Sequence, residues 1–422
     1  MRILHLASTF FPRHTGGKEV FIYHLVKGTP DLQHLVVHHD GAQVGPDEYE
    51  GIATQKLPEP VARDAYRSYW SLVYDELPGF REILKDFRPD LVHFHDFCAG
   101  ASLSHLRICK EEGIRTLVSY HAPGSSCMQK GLIRASKKPC DGAIIDHRCT
   151  ACRYQVKGIP LSNVLASVRL PMDRTGRYLL RSSTELFHQS FNDFFEHIDA
   201  VQAHAQWVKD LLVLNQVSPI KIHMVRLGGH PTIANSNGAG KAPHGPLKVV
   251  FLGRCVNIKG AHVLVDAVNK LPIDAPIEVH FFGPYWDDSR YGRSLRKQTA
   301  KDKRFIPPRM LPPATIVNEI SRMDVCVIPS LWPETGPLSL LDSFAARVPV
   351  IGTDLAGIRE RIVHGQNGLL FKWGNSDDLA KQLRYVLANK DVLRRFSQAI
   401  PPNYTFAEMA TDIGNLYSKI IN

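Results

Sequence analysis

The form of the apolar runs constrains this chain most. They are short and continuous, and amphipathic helical patterns stand between them. Residues 2–7, 34–38, 90–95, 115–120, 200–203 and 221–227 make a first series. Residues 248–253, 278–282, 324–329, 349–352 and 368–371 make a second. Several are unbroken stretches of Val, Ile, Leu and Phe with no polar alternation. A strand buried on both faces reads this way, as in a parallel sheet covered by helices. Helical patterns over 17–26, 81–86, 207–212, 261–270 and 376–388 complete the alternation. Strand–helix–strand order predicts doubly wound α/β domains. At 422 residues the chain is long enough for two of them.

Residues 229–246 separate the two series. They are rich in Gly, Pro, Asn and Ala and read as a linker. The expected organisation is an N-terminal domain over 1–228, the linker, and a C-terminal domain over 247–400. A last helix within 401–422 follows Pro401 and Pro402 and can pack on either domain, including back on the N-terminal one. Residues 122–171 break the rhythm, with no strand or helix pattern. A structureless stretch of that length inside a compact domain is usually functional.

Two motifs carry chemistry. In the first, a strand ends near Pro329, Glu334 follows, and Gly336-Pro337 opens a helix through Leu340 and Leu341. Proline suits a first helical position. Free amides and the dipole at a helix start favour an anion such as a diphosphate. Asp342 is expected two turns deeper, about 12 Å along the axis. In the second motif, a strand ends at Gly253, and Arg254 and Lys259-Gly260 precede a helix. Ligands of doubly wound folds bind at the carboxyl ends of strands. Two cations there suit a diphosphate leaving group. Each motif alone also reads as an ordinary cap or a solvated loop.

Together the two motifs resemble the retaining glycosyltransferase family 4 of the GT-B fold. HTGGKE, from His14 to Glu19, is similar to that family's Gly-Gly loop. The resemblance implies two Rossmann-like domains facing across a cleft, with the nucleotide sugar (UDP- or GDP-linked) held mainly by the C-terminal one. It implies that Arg254 and Lys259 bind the diphosphate and that Glu334 contacts the transferred sugar. Amides near Gly336 and Leu338 would hold phosphate or sugar hydroxyls, and Asp342 the ribose. Gly16, Gly17 and Gly253 would line the donor site, the first two by close backbone approach. His121, after the strand 115–120, would touch the transferred sugar. His93, His95 and Asp96 end the preceding strand and would line the same cleft. The sequence departs from the family in three places. Asp342 stands where Glu is usual, Pro337 where Gly is frequent, and Leu227-Gly228 where Asn-Gly is frequent.

The implied reaction is front-face displacement with retention, with charge stabilisation and positioning as its means. No catalytic metal is expected, and no clear Asp-x-Asp motif is present. Cys127, Cys140, Cys149 and Cys152 fall inside the patternless stretch. The Cys149–Cys152 spacing is that of tetrahedral zinc sites, and a structural zinc is the expectation. An iron–sulfur cluster and four unrelated thiols are the competing readings. Cys98, Cys109, Cys255 and Cys326 read as buried thiols.

The formal charge of +10 favours anionic partners. No basic run or nucleic-acid signature is present, so nucleic acid is not expected. The N-terminus lacks the pattern of a signal peptide and no run is long enough to span a membrane. The expected location is cytoplasmic, with peripheral contact at the inner membrane face. The expected partner is a glycan or lipid-linked acceptor in polysaccharide or glycolipid assembly. A degenerate, non-catalytic binding module and a GT-B-like nucleotide-sugar epimerase are the rival readings. A phosphorylase lacks its pyridoxal lysine context. A Rossmann oxidoreductase lacks a G-x-G-x-x-G after the first strand.

Overall fold

The computed structural model describes residues 1–39, 44–167, 181–233 and 245–422. The chain forms two compact units. One comprises Met1–Arg226 with Ala407–Asn422, the other Leu227–Phe406. No helix among the described residues is long and apolar enough to cross a membrane.

The first unit holds an eight-stranded sheet. Its strands are β1 (Arg2–Ala7), β2 (Gln33–His38), β3 (Gly45–Tyr49), β4 (Ile52–Lys56), β5 (Leu91–His95) and β6 (Arg115–Tyr120). The two-residue strands β7 (Ile133–Arg134) and β8 (Lys138–Pro139) form a separate hairpin. Then β9 (Ala200–Ala203) and β10 (Ile222–Met224) complete the large sheet. The order is β10-β9-β6-β5-β1-β2-β4-β3, parallel except for the β3–β4 pair. The core is built on Leu4, Leu6, Val92, Phe94, Val118 and Val201, with Phe191 and Phe194 from a covering helix. The helix Phe406–Ile421 supplies Tyr417, whose hydroxyl lies 2.7 Å from His93 Nδ1. The C-terminal segment therefore belongs to the first unit.

The second unit holds five parallel strands: β11 (Leu247–Leu252), β12 (Ile277–Phe282), β13 (Val325–Ile328), β14 (Val350–Thr353) and β15 (Gly368–Phe371). Their order is β12-β11-β13-β14-β15. Apolar side chains cover both faces. Val249 and Phe251 pack into one cluster and Val250 into the other. That two-sided burial is why the central strand β13 is a continuous apolar run, whereas the edge strand β12 carries Glu278 and His280 at alternating positions.

Two expectations need correction. Within 122–171 the structure has the β7–β8 hairpin and the helices Asp146–Val156 and Ser162–Ser167. The first helix carries Cys149 and Cys152. It lacks a clean apolar stripe, which is why periodicity misses it. Residues 168–171 lie outside the described residues. Of the linker, residues 234–244 also lie outside them. Gly229 belongs to the second unit, where its amide donates to the Tyr404 carbonyl at 2.9 Å.

Candidate active site

In the second unit, β11 ends at Leu252 and the chain turns through Gly253, whose φ of 150° suits only glycine. Gly253 donates its amide to the Phe282 carbonyl at 2.9 Å, holding the turn against β12. The exposed Arg254 follows, with no ion-pair partner among the described residues. A single 3-10 turn, Asn257–Lys259, then delivers Lys259. Gly260 has a φ of 73°, and a Cβ there would sit 1.9 Å from the Pro329 carbonyl oxygen. The two motifs thus touch through backbone, and only glycine permits it.

Lys259 Nζ lies 2.6 Å from Glu334 Oε1. The same oxygen accepts from Ser330 Oγ at 2.6 Å. Lys259 also lies over the Trp332 ring, 5.4 Å from its centroid. Glu334 is buried, and its carbonyl accepts the Gly357 amide at 3.1 Å. The loop before the helix is therefore pinned at its acid from both sides.

The helix spans Leu338–Ala345, with Pro337 as the capping residue just before it rather than its first residue. A proline there has no N–H to offer an anion. A Cβ on Gly336 would meet Leu227 Cβ at 3.0 Å. Asp342 is the fifth helical residue, one turn from the helix start and about 6 Å along the axis, half the depth expected. Burial pushes its carboxyl up to about 7, and His230 Nε2 lies 4.0 Å from Oδ1. Asp342 is buried rather than an exposed acid.

In the first unit, Gly16 caps the helix Gly17–Gly28. Its amide donates to Glu19 Oε2 at 2.9 Å, and Thr9 Oγ1 donates to Glu19 Oε1 at 2.7 Å. A Cβ on Gly16 would approach Glu19 Oε2 to 2.7 Å. The glycine thus makes room for the capping acid of its own loop. Lys18 Nζ donates to Ser8 Oγ at 2.9 Å and lies 3.6 Å from Glu19 Oε1. Lys18 and Glu19 were legible only as parts of the HTGGKE motif.

His121 follows β6, and its amide donates to Asp96 Oδ1 at 2.7 Å. Burial raises the Asp96 carboxyl to about 6, opposed by Lys18 and by that hydrogen bond. His121 Nε2 contacts His95 Nδ1 at 3.1 Å. Burial, with His204, Lys18 and His93 nearby, holds the His121 imidazole well below its usual range, so it is neutral. His93 and His95, the latter the last residue of β5, are fully buried and not on an open surface.

Cys127, Cys140, Cys149 and Cys152 line one cavity of about 40 Å³, with Arg148 and Arg153 beside them. The Ala135 amide donates to Cys152 Sγ at 3.1 Å. Burial pushes the Cys149 thiol up to about 11. Among the described residues, the His, Cys, Asp and Glu group whose ligand atoms all lie within 4.8 Å of one another is His5, His93 and His95. The four sulfurs converge on a cavity but are spaced more widely than that.

Residues 15–228 match the family model described as Glycosyltransferase Family 4, and residues 234–401 that described as Glycosyl transferases group 1. A D-inositol 3-phosphate glycosyltransferase of Jonesia denitrificans is 27% identical over 233 residues, covering 50% of this chain and 54% of that protein. The putative colanic acid biosynthesis glycosyltransferase WcaL of Salmonella typhimurium is 27% identical over 173 residues, 39% of this chain and 42% of its own. The chain spans about half the length of the curated relatives it matches. Among solved structures, sucrose-phosphate synthase from Thermosynechococcus elongatus aligns with a TM-score of 0.68 at 15% identity, over 99% of this chain and 98% of that one. Anabaena Alr3699/HepE in complex with UDP and glucose aligns with a TM-score of 0.62 at 14% identity, over 99% of each. At such identity the likeness shows the fold, two Rossmann-like domains of the GT-B class. One model spans half of the chain and the other most of the rest, and the chain belongs to the glycosyltransferases of Family 4 with a group 1 domain in its second half.

Proposed function

We propose that this protein transfers a sugar from a nucleoside-diphosphate sugar, UDP- or GDP-linked, to a glycan or lipid-linked acceptor, with retention of configuration. The product would be a polysaccharide or glycolipid. The observation that carries the reading is the Lys259–Glu334 contact at 2.6 Å, four residues before a helix start. A cation from one loop meets a buried carboxylate of the next, close to the first amides of a helix, which supports an anion site there.

In this reading Arg254 and Lys259 neutralise the diphosphate as it leaves. Amides near Gly336 and Leu338 hold its oxygens, and Gly253 keeps the strand end open to it. Glu334 accepts from hydroxyls of the transferred sugar, and Asp342 binds the ribose hydroxyls. Gly16 and Gly17 set the loop of the first unit, and His121 contacts the sugar. The anomeric carbon breaks its bond to the phosphate oxygen and forms one to the acceptor oxygen on the same face. The acceptor's proton passes to the departing phosphate. The names of the relatives support a glycan product, and the UDP and glucose bound by the HepE structure support the donor class. A lipid-linked acceptor would bring the basic chain, at formal charge +10, to an anionic membrane surface.

The four cysteines around the small cavity are read as ligands of a structural zinc. The chemistry of the donor set suits zinc, because thiolates are soft ligands and the neighbouring arginines and the Ala135 amide favour them, and the widely spaced sulfurs would have to close on the ion. The metal would crosslink the hairpin to the helix Asp146–Val156.

The test is incubation with a panel of nucleotide sugars and candidate acceptors, read by nucleoside diphosphate release and by NMR of the new linkage. Release of one diphosphate with the donor's anomeric configuration kept is the expected result. An inverted product would overturn the retaining reading, and no release from any donor would overturn the transferase reading.

A further inference from the structure

Four imidazoles of the first unit form one unbroken line of hydrogen bonds. His34 Nδ1 meets His5 Nε2 at 2.9 Å, His5 Nδ1 meets His95 Nε2 at 3.1 Å, and His95 Nδ1 meets His121 Nε2 at 3.1 Å. They stand on β2, β1 and β5 and just beyond β6, so the line runs across the sheet.

Which nitrogen carries the proton follows from the far end. Thr29 Oγ1 gives its only hydrogen to the Leu25 carbonyl at 2.7 Å. His34 Nε2 lies 2.9 Å from that hydroxyl oxygen and 3.2 Å from the Thr29 carbonyl. Both can only accept, so His34 Nε2 carries the hydrogen. A neutral His34 then has a lone pair on Nδ1, which requires the hydrogen on His5 Nε2. The same step repeats at His95 and at His121. Burial keeps each of the four rings neutral, with one hydrogen and one lone pair apiece.

We propose that His34, His5 and His95 are positioning residues that, anchored by Thr29, fix His121 as the Nε2–H tautomer. His121 Nδ1 is then a lone pair, and the ligand group it recognises is a hydrogen-bond donor such as a sugar hydroxyl. The role of the lone pair rests on the function proposed above; the tautomer does not. His93 stands outside the line with its own closed set of bonds. Ser119 Oγ donates to Gln202 Oε1 at 2.5 Å and therefore accepts from His93 Nε2 at 2.6 Å, which leaves His93 Nδ1 to accept from Tyr417. In these tautomers the lone pairs of His5, His93 and His95 point to three different partners, not to one common ion.

The test is nitrogen NMR of the full chain labelled with 15N-histidine, with the His121 signals identified by their loss in His121→Gln. The proposal expects a protonated Nε2 and an unprotonated Nδ1 on His121. A proton on Nδ1, or an even mixture, overturns it. His95→Leu removes the acceptor and should shift His121 towards the mixture. It should also lower transfer about tenfold, the size of one lost hydrogen bond. His95→Gln, which can accept from His121 and donate to His5, should restore both readings. An unchanged His121 spectrum in His95→Leu overturns the proposal, and the wild-type spectrum decides it if that variant does not fold. If the spectrum is as expected but no donor is turned over, the positioning role stands and the transferase reading falls.

Discussion

Lys259 and Glu334, far apart in sequence, meet at 2.6 Å where the two chemistry-bearing loops touch. Each holds the other in place. Ser330 donates to the same carboxylate oxygen that Lys259 contacts. A diphosphate would compete with Glu334 for the same ammonium.

Lys259→Ala should therefore lower transfer by about 100-fold or more, the scale of losing one stabiliser of developing charge. The partly exposed pair is screened, so the stability loss should be only about 1–2 kcal/mol. Steady-state kinetics and urea denaturation on the same preparation check both. Near-normal turnover in a folded variant would remove Lys259 from the diphosphate site.

Gly260→Ala should be far more damaging to the fold than a one-carbon change suggests. The new Cβ would face the Pro329 carbonyl at 1.9 Å from a residue with φ of 73°. Backbone must move, at a cost above about 2 kcal/mol. A variant with wild-type stability in denaturant would show that the two loops do not touch this way.

Asp342 gives a pH-dependent prediction. Its folded carboxyl is raised to about 7 by burial, well above its ordinary 3.8. The folded state therefore holds a proton that the unfolded state has lost between those values. That contribution is full below about pH 4 and vanishes as pH rises through 7. Asp342→Asn cannot titrate, so its Tm should gain on that of the wild type as pH rises from 4 to 8. His230, 4.0 Å from Asp342, is itself lowered by burial, and the buried Cys326 thiol beside Asp342 is raised. A difference in Tm that stays flat with pH would contradict the burial of Asp342.

Metal analysis of protein purified without chelator should find about one zinc per chain, as four thiolates require. Cys152→Ser should lower that content and the Tm together. Zinc-free protein with an unchanged Tm would remove the metal reading.

The parallel sheets were legible because two-sided burial leaves a direct mark, unbroken apolar strands such as β13 (VCVI) and β15 (GLLF). The edge strand β3, GPDEY, left no mark because it is mostly exposed and contains proline. The helix Asp146–Val156 was hidden by its cysteines, arginines and histidine, which break the apolar period. The loop from Gly253 to Gly260 could be read from its motif, but not its contact with Pro329, which depends on strands brought together by folding. The histidine line had a faint signal. His5, His93 and His95 sit among apolar strand neighbours, and His5 pairs in register with His93. Which nitrogens face each other depends on side-chain rotamers, and those exist only in the packed sheet.

The most direct test of the central claim is calorimetric titration of UDP, GDP and ADP into wild-type protein and into Lys259→Ala. One diphosphate should bind the wild type, and Lys259→Ala should bind it at least about tenfold more weakly, the worth of one charge-assisted contact. Equal affinity in both proteins, or no binding of any diphosphate to the wild type, would contradict that claim.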